Sequence, residues 1–206
     1  MHTSLTAVVG YPSRSAQGIS PWSSMTQSGL NAMELPDAGY LYTLSLIAIA
    51  YVGFTAIVLI LRQSAGGTLL PIDTLVSRLF MGWGFLLTYL SITPMLLAAF
   101  DLSRPVVWRI SSALAGLSFV VMQVSYPILR GRITAEPTPL HVWLHVAAGL
   151  ALGAVLLANA TAVFLASIAA IYLAALTLYL VQASFAFVQH FGFMIDELRA
   201  HRKHQG

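Results

Sequence analysis

Two histidines spaced four residues apart are the strongest candidates for chemistry in this chain. His141 and His145 lie in the apolar stretch 139–159, and Gly149 and Gly153 continue the same spacing. Residues four apart lie on one face of an α-helix, so these four positions form one slowly drifting stripe. Imidazoles on such a stripe could bind a proton, a metal ion or a small polar ligand.

The residues around the histidine pair argue against a metal or a haem. The spacing matches the zinc-binding helix H-E-x-x-H, but residue 142 is Val and there is no glutamate to act as general base. A metal needs more than two ligands, and no other apolar stretch supplies an acid or histidine at that depth. Two axial haem ligands must lie on opposite faces, which one helix face cannot provide. We therefore predict no catalytic residue, no metal and no cofactor; a haem b or a metal at His141 and His145 is the less favoured alternative.

Three further polar residues are expected near the histidines. Counting about 1.5 Å per residue from a turn near Ala160 places His141 closest to the level of Tyr179 and Gln182. The same count places His190 one or two helical turns farther out, and Gln123 approaches the same end from the preceding apolar stretch. Ionisable residues within membrane segments are candidates for function.

These positions predict a cytoplasm-facing polar pocket that binds a small ligand. Its members are His141, His145, Tyr179, Gln182 and Gln123. The alternative is that the histidines, with Trp143, are interfacial anchors or interhelical hydrogen-bond partners, which the frequency of Trp-rich interfacial belts favours.

Other charged residues flank the apolar stretches. Arg109 is expected to extend to the external interface near Arg104, or alternatively to act as counter-charge for an anionic ligand. Asp73 and Arg78 precede the second stretch and are interpreted as an interfacial pair.

The composition requires lipid as the main solvent. Of the 206 residues, 58% are hydrophobic and only 8% are charged, whereas soluble proteins carry about 25% charged residues. The basic residues form no block, so no nucleic-acid partner is expected. The chain has no cysteine, which excludes disulfides, thiolate ligands and a cysteine nucleophile.

Charge-free stretches predict an all-α integral membrane bundle of about five transmembrane helices. The 59 residues 137–195 contain no Asp, Glu, Lys or Arg. As one helix they would be roughly 88 Å long against a hydrocarbon core of about 30 Å, so they must turn back once, at Asn159-Ala-Thr161. The predicted organisation is a disordered segment 1–37, a transmembrane domain 38–195 with spans at 38–61, 79–100, 107–129, 140–158 and 162–189, and a polar cytoplasmic tail 196–206.

A proline interrupts the second predicted span. Pro94 has no N–H, so it leaves the carbonyl of Leu90 without its helical donor and should kink the helix. Ser91 or Thr93 is expected to satisfy the freed backbone.

Small residues predict how the helices pack. In lipid, helices associate through close backbone approach and interhelical hydrogen bonds. The stripe containing Gly149 and Gly153 should face an alanine stripe in the fifth span, forming an antiparallel hairpin. That alanine stripe consists of Ala162, Ala166, Ala170 and Ala174.

The basic residues predict the orientation. Five spans place seven basic residues on one side: Arg62, Arg78, Arg130, Arg132, Arg199, Arg202 and Lys203. The other side receives Arg104, Arg109 and the distant Arg14. Because cytoplasmic loops carry the basic excess, the C-terminus should be cytoplasmic and the N-terminus external, in the cell inner membrane.

Three classes of function remain open. A non-catalytic subunit, in a homo-oligomer or a larger membrane complex, is favoured because the spans lack the buried charges that ion-coupled transport needs. A small-solute or proton transporter or channel using the polar pocket is the first alternative. A haem- or metal-binding membrane protein is the second. The lipid bilayer is the expected partner in all three.

Overall fold

The computed structural model describes residues 37–64, 70–161 and 168–204, with side chains described as far as Gly192. It contains five helices there, which are α1 (Ala38–Ser64), α2 (Pro71–Ala98), α3 (Arg104–Ile133), α4 (Leu140–Ala160) and α5 (Ile168–His204). Residues 1–36 of the predicted disordered segment lie outside the described residues. Ala162 and Ala166 of the predicted alanine stripe also lie outside them.

Each helix is long and apolar enough to cross a membrane. Large apolar side chains such as Phe54, Tyr89 and Leu117 are more than half exposed. Such a surface is stable only against lipid. The prediction of an all-α integral membrane bundle is therefore confirmed.

The second helix begins eight residues before the predicted span. Pro71 occupies its first turn, where the fixed φ of proline suits a helix and its missing N–H costs nothing. The carboxylate of Asp73 accepts a hydrogen bond from the backbone N–H of Leu70 at 3.2 Å. Asp73 and Arg78, which were predicted to precede the span, therefore lie in the first turns of α2.

The carbonyl freed by Pro94 is satisfied from another helix. The hydroxyl of Tyr172 in α5 donates to the carbonyl oxygen of Leu90 at 2.6 Å, in a fully buried contact. Ser91 and Thr93 donate instead to the carbonyls four residues before them. The expectation that one of these two residues compensates for Pro94 was wrong, because a side chain from α5 reaches the site.

Two glycines bring α3 and α4 into backbone contact. A Cβ added to Gly116 would lie 2.9 Å from the carbonyl oxygen of Gly153, and one added to Gly153 would lie 3.1 Å from that of Gly116. One turn away, Gly149 leaves the space that the side chain of Gln123 occupies. The glycine stripe of α4 therefore packs on α3.

For the described half of the predicted alanine stripe of α5, the pairing with this glycine stripe is not found. Ala170 and Ala174 are exposed. The buried face of α5 is built from larger residues, including Tyr172, Leu176, Tyr179 and Phe187. The face of α5 with the large side chains is buried because it removes more apolar surface from solvent than the alanine face would.

Asn159 joins three helices at the end of α4. Its side-chain amide donates to the hydroxyl of Ser112 in α3 at 2.9 Å and to the carbonyl of Ile168 in α5 at 3.0 Å. Helix α4 ends one residue later, at Ala160, two residues beyond the predicted end of the span, and α5 is described from Ile168.

Candidate ligand-binding site

A partly open cavity of about 160 Å³ lies between α2, α3, α4 and α5. It is at the end of the bundle where α2 and α4 begin and α1 and α3 end, which we call the pocket end. An engineered cavity of about 150 Å³ binds benzene. The cavity therefore has room for a single ring or a compact head group.

Most of its wall is apolar. Polar lining residues come from all four helices: Trp83 from α2, Gln123, Tyr126 and Arg130 from α3, His141 and His145 from α4, and Gln189 and His190 from α5. The apolar wall includes Ile72, Val76, Leu79, Phe80, Val142 and Val146.

The structure brings three of the five predicted pocket residues to the cavity wall. Gln123, His141 and His145 line it, whereas Tyr179 and Gln182 lie behind it. Gln182 donates a hydrogen bond to the backbone carbonyl of His145 at 2.6 Å. The side-chain amide of Gln123 lies 3.5 Å from the hydroxyl of Tyr179, a long and weak contact.

The hydrogen bond of Gln182 also corrects the predicted register. Gln182 is level with His145, although residue counting had placed it nearest His141. The residue count assumed that the fifth helix begins directly after Ala160. In the structure, Asn159 is hydrogen-bonded to Ile168, so Ile168 is the residue of α5 at the level of the end of α4. This shift brings His190 to the same cavity as His141.

Hydrogen bonding defines the tautomer of His145. Its Nδ1 lies 3.0 Å from the backbone carbonyl of His141. A carbonyl can only accept, so Nδ1 carries the proton, and in the neutral ring Nε2 is an acceptor. That Nε2 is buried and has no hydrogen-bond partner.

Two further lining residues carry buried nitrogens without hydrogen-bond partners. These atoms are the indole Nε1 of Trp83 and the Nε of Arg130. Sequence reasoning missed both, since it took Arg130 only as an orientation charge. The spacing of Gln123, Tyr126 and Arg130, by three and then four residues, would have revealed a polar face on α3.

A buried ion pair joins α1 to α2 near the cavity. Arg62 contacts the carboxylate of Asp73 at 2.8 Å, and their side chains are 10% and 8% exposed. The other carboxylate oxygen lies 3.9 Å from Nε2 of His190. The expected interfacial pair of Asp73 with Arg78 is wrong, because Arg78 is exposed while Arg62 reaches Asp73 from α1. Arg109 is also exposed.

Arg130 brings a positive charge to the wall of the cavity, and none of the lining residues that the structure describes is acidic. Asp73 is already balanced by Arg62. Within the described residues, no group of three or more His, Cys, Asp or Glu side chains could hold a metal ion.

Aromatic rings fill the bundle beyond the cavity. Phe119 and Tyr179 stack with their ring centroids 3.7 Å apart. Trp83 meets Tyr179 edge-on at 6.1 Å. The described interior is thus packed directly beyond the pocket.

Fold and site together define a five-helix integral membrane protein with a largely apolar pocket at one end, whose wall includes the guanidinium of Arg130. Comparisons with protein-family models, with curated proteins and with solved structures each gave no significant match. Function is therefore inferred from the site.

Proposed function

We propose that this protein binds a small ligand in the pocket, at the cytoplasmic side of the inner membrane. The observation that carries the proposal is the cavity whose lining residues hold three buried nitrogens without partners, on Trp83, Arg130 and His145. Leaving one buried polar group unpaired costs about 1–3 kcal/mol. Small side-chain rotations that let a ligand reach these atoms would recover part of that cost.

Packing favours binding over the other classes of function. The small-residue surface formed by Gly116 and Gly153 is used within the chain, where it joins α3 to α4, and so is not available as an oligomer interface. The stacked rings of Phe119 and Tyr179 favour a blind pocket over a path for solutes. The basic residues near the pocket end favour its cytoplasmic orientation.

A pocket-filling substitution tests the proposal. Ala186 lines the cavity, so Ala186→Phe should place a phenyl ring where the ligand binds. Ala174 is an exposed alanine on the same helix, and Ala174→Phe is the matched control.

Native mass spectrometry of protein purified in mild detergent is the measurement. The wild type and Ala174→Phe should each carry a bound small molecule, and Ala186→Phe should lose it while remaining folded by circular dichroism. A wild type without any bound molecule, or equal retention by the folded Ala186→Phe protein, would contradict the proposal.

A further inference from the structure

We propose that the ligand is an anionic amphiphile, with a carboxylate or phosphate group bound at Arg130 and an apolar chain along the wall of the cavity. This inference rests on the proposed function and names the chemical class of ligand for the same pocket.

The charge of the pocket selects an anion. Arg130 has no ion-pair partner among the described side chains, and no described lining residue is acidic. Because Arg130 brings a positive charge to the cavity and no acidic side chain is described on its wall, the site favours a negative ligand and disfavours a cation. The carboxylate of Asp73 does not alter this preference, since Arg62 contacts it at 2.8 Å.

The available donors suit oxygen acceptors. Guanidinium presents N–H groups in a fork that matches carboxylate and phosphate oxygens. The indole N–H of Trp83 can only donate, and it has no acceptor in the structure. The amide of Gln123 makes only the long contact to Tyr179, so it retains donor capacity for an oxygen of the head group.

The wall of the cavity requires the rest of the ligand to be apolar. Val76, Leu79 and Phe80 of α2 line it together with Val142 and Val146 of α4. A small hydrated anion would leave these side chains against water, whereas a hydrocarbon chain would bury them at about 25 cal/mol per Å². The volume of about 160 Å³ holds a head group and its first carbons, and the open side lets a longer chain leave.

The depth of the site agrees with this assignment. Arg130 lies in the last turn of α3, and His141 lies in the first turn of α4. Helix ends of a membrane bundle lie at the level of the lipid head groups. Basic pockets between transmembrane helices on the cytoplasmic side are suited to anionic head groups.

Equilibrium binding of radiolabelled dodecanoate to the full chain in non-ionic detergent tests the inference. Competitors separate the parts of the ligand: dodecyl phosphate keeps chain and charge, dodecanol keeps the chain, and acetate keeps the charge. We expect saturable binding that dodecyl phosphate displaces and that dodecanol and acetate do not.

Charge variants test the assigned residue. Arg130→Gln should weaken dodecanoate binding about tenfold or more, the effect of losing a hydrogen bond to a charged group. Arg130→Lys, which keeps the charge, should recover part of the affinity. Arg132 is exposed in the same last turn, and Arg132→Gln should bind as the wild type does.

The possible failures are distinguishable. Equal displacement by dodecanol, or unchanged binding by a folded Arg130→Gln protein, would overturn the anionic head while leaving a pocket ligand. Displacement by acetate as effective as by dodecanoate would overturn the apolar chain. If dodecanoate shows no saturable binding, the inference is overturned, and the mass spectrometry of Ala186→Phe decides separately whether the pocket binds any ligand.

Discussion

Removal of the Tyr172 hydroxyl should destabilise the bundle through a carbonyl on another helix. Pro94 supplies no N–H to the carbonyl of Leu90, and the Tyr172 hydroxyl donates to that carbonyl at 2.6 Å. Leu90 and Tyr172 are both 0% exposed. In Tyr172→Phe, therefore, we expect neither water nor another described donor to reach the carbonyl oxygen of Leu90. The substitution also removes little volume, which isolates the hydrogen bond from cavity formation.

The magnitude depends on the reference state. In a water-soluble protein, an unpaired buried carbonyl costs about 1–3 kcal/mol. In a membrane, the carbonyl opposite a proline also lacks its donor in the separated helix, and interhelical hydrogen bonds average only about 0.6 kcal/mol, with a maximum near 1.7. The bond here is short and fully buried, so we expect Tyr172→Phe to cost about 1 kcal/mol of unfolding free energy.

A double-mutant cycle with Pro94→Ala tests the reasoning. Alanine restores the backbone N–H that can donate to Leu90, so Tyr172→Phe should cost less than about 0.5 kcal/mol in that background. Unfolding free energies come from denaturing-detergent titrations followed by far-ultraviolet circular dichroism. Tyr89→Phe, at an exposed tyrosine of α2, should change nothing measurable. Equal costs of Tyr172→Phe in both backgrounds would refute the link between Tyr172 and Pro94.

Three further predictions concern packing, charge and orientation. Gly149→Ala should cost about 1–3 kcal/mol of unfolding free energy by overpacking, because its Cβ would overlap the side chain of Gln123 in α3. Gly131→Ala, with open space around the Cβ, is the control and should be neutral or slightly stabilising. Equal effects of the two substitutions in the same denaturation titration would contradict this prediction. Asp73→Asn should cost about 3 kcal/mol because it leaves the cation of Arg62 buried; a loss below about 1 kcal/mol would show that the pair is hydrated. In the cysteine-free chain, Ser103→Cys should react with a membrane-impermeant maleimide added to intact cells and Gly131→Cys only after lysis; the reverse pattern would invert the proposed orientation.

Local sequence properties predicted the helices well. The length and charge content of each stretch depend only on neighbours in the chain, so the predicted start of α4 at Leu140 is confirmed, and its end at Ala160 lies two residues beyond the predicted one. The start of α2 was misplaced because the predicted span contained only uncharged residues and began after Arg78, which left Asp73 outside it. The charge of Asp73 is balanced by Arg62 of another helix, and sequence patterns do not show such pairing between spans.

Sequence patterns identified part of the candidate site, and the rest depends on contacts between helices that the sequence does not show. Helical spacing and low charge identified His141, His145 and Gln123, which line the cavity. Trp83 could not be identified, because a tryptophan within an apolar stretch resembles any lipid-facing or core residue until its neighbours are known. The partner of the glycine stripe was equally undetermined, since shape complementarity between helices is a property of three dimensions.

The ion pair between Arg62 and Asp73 has a consequence for biosynthesis. An arginine or an aspartate costs about 2.5–3.5 kcal/mol when it enters the membrane centre alone, and less near the interface. Arg62 ends α1 and Asp73 begins α2, so the two charges leave the ribosome close together and neutralise each other as soon as both helices are present. Helices α1 and α2 are therefore suited to enter the bilayer as one hairpin, and a nascent chain that ends between them would carry a cation with no counter-charge. The pair thus adds a contact to this hairpin that forms only when both helices are present.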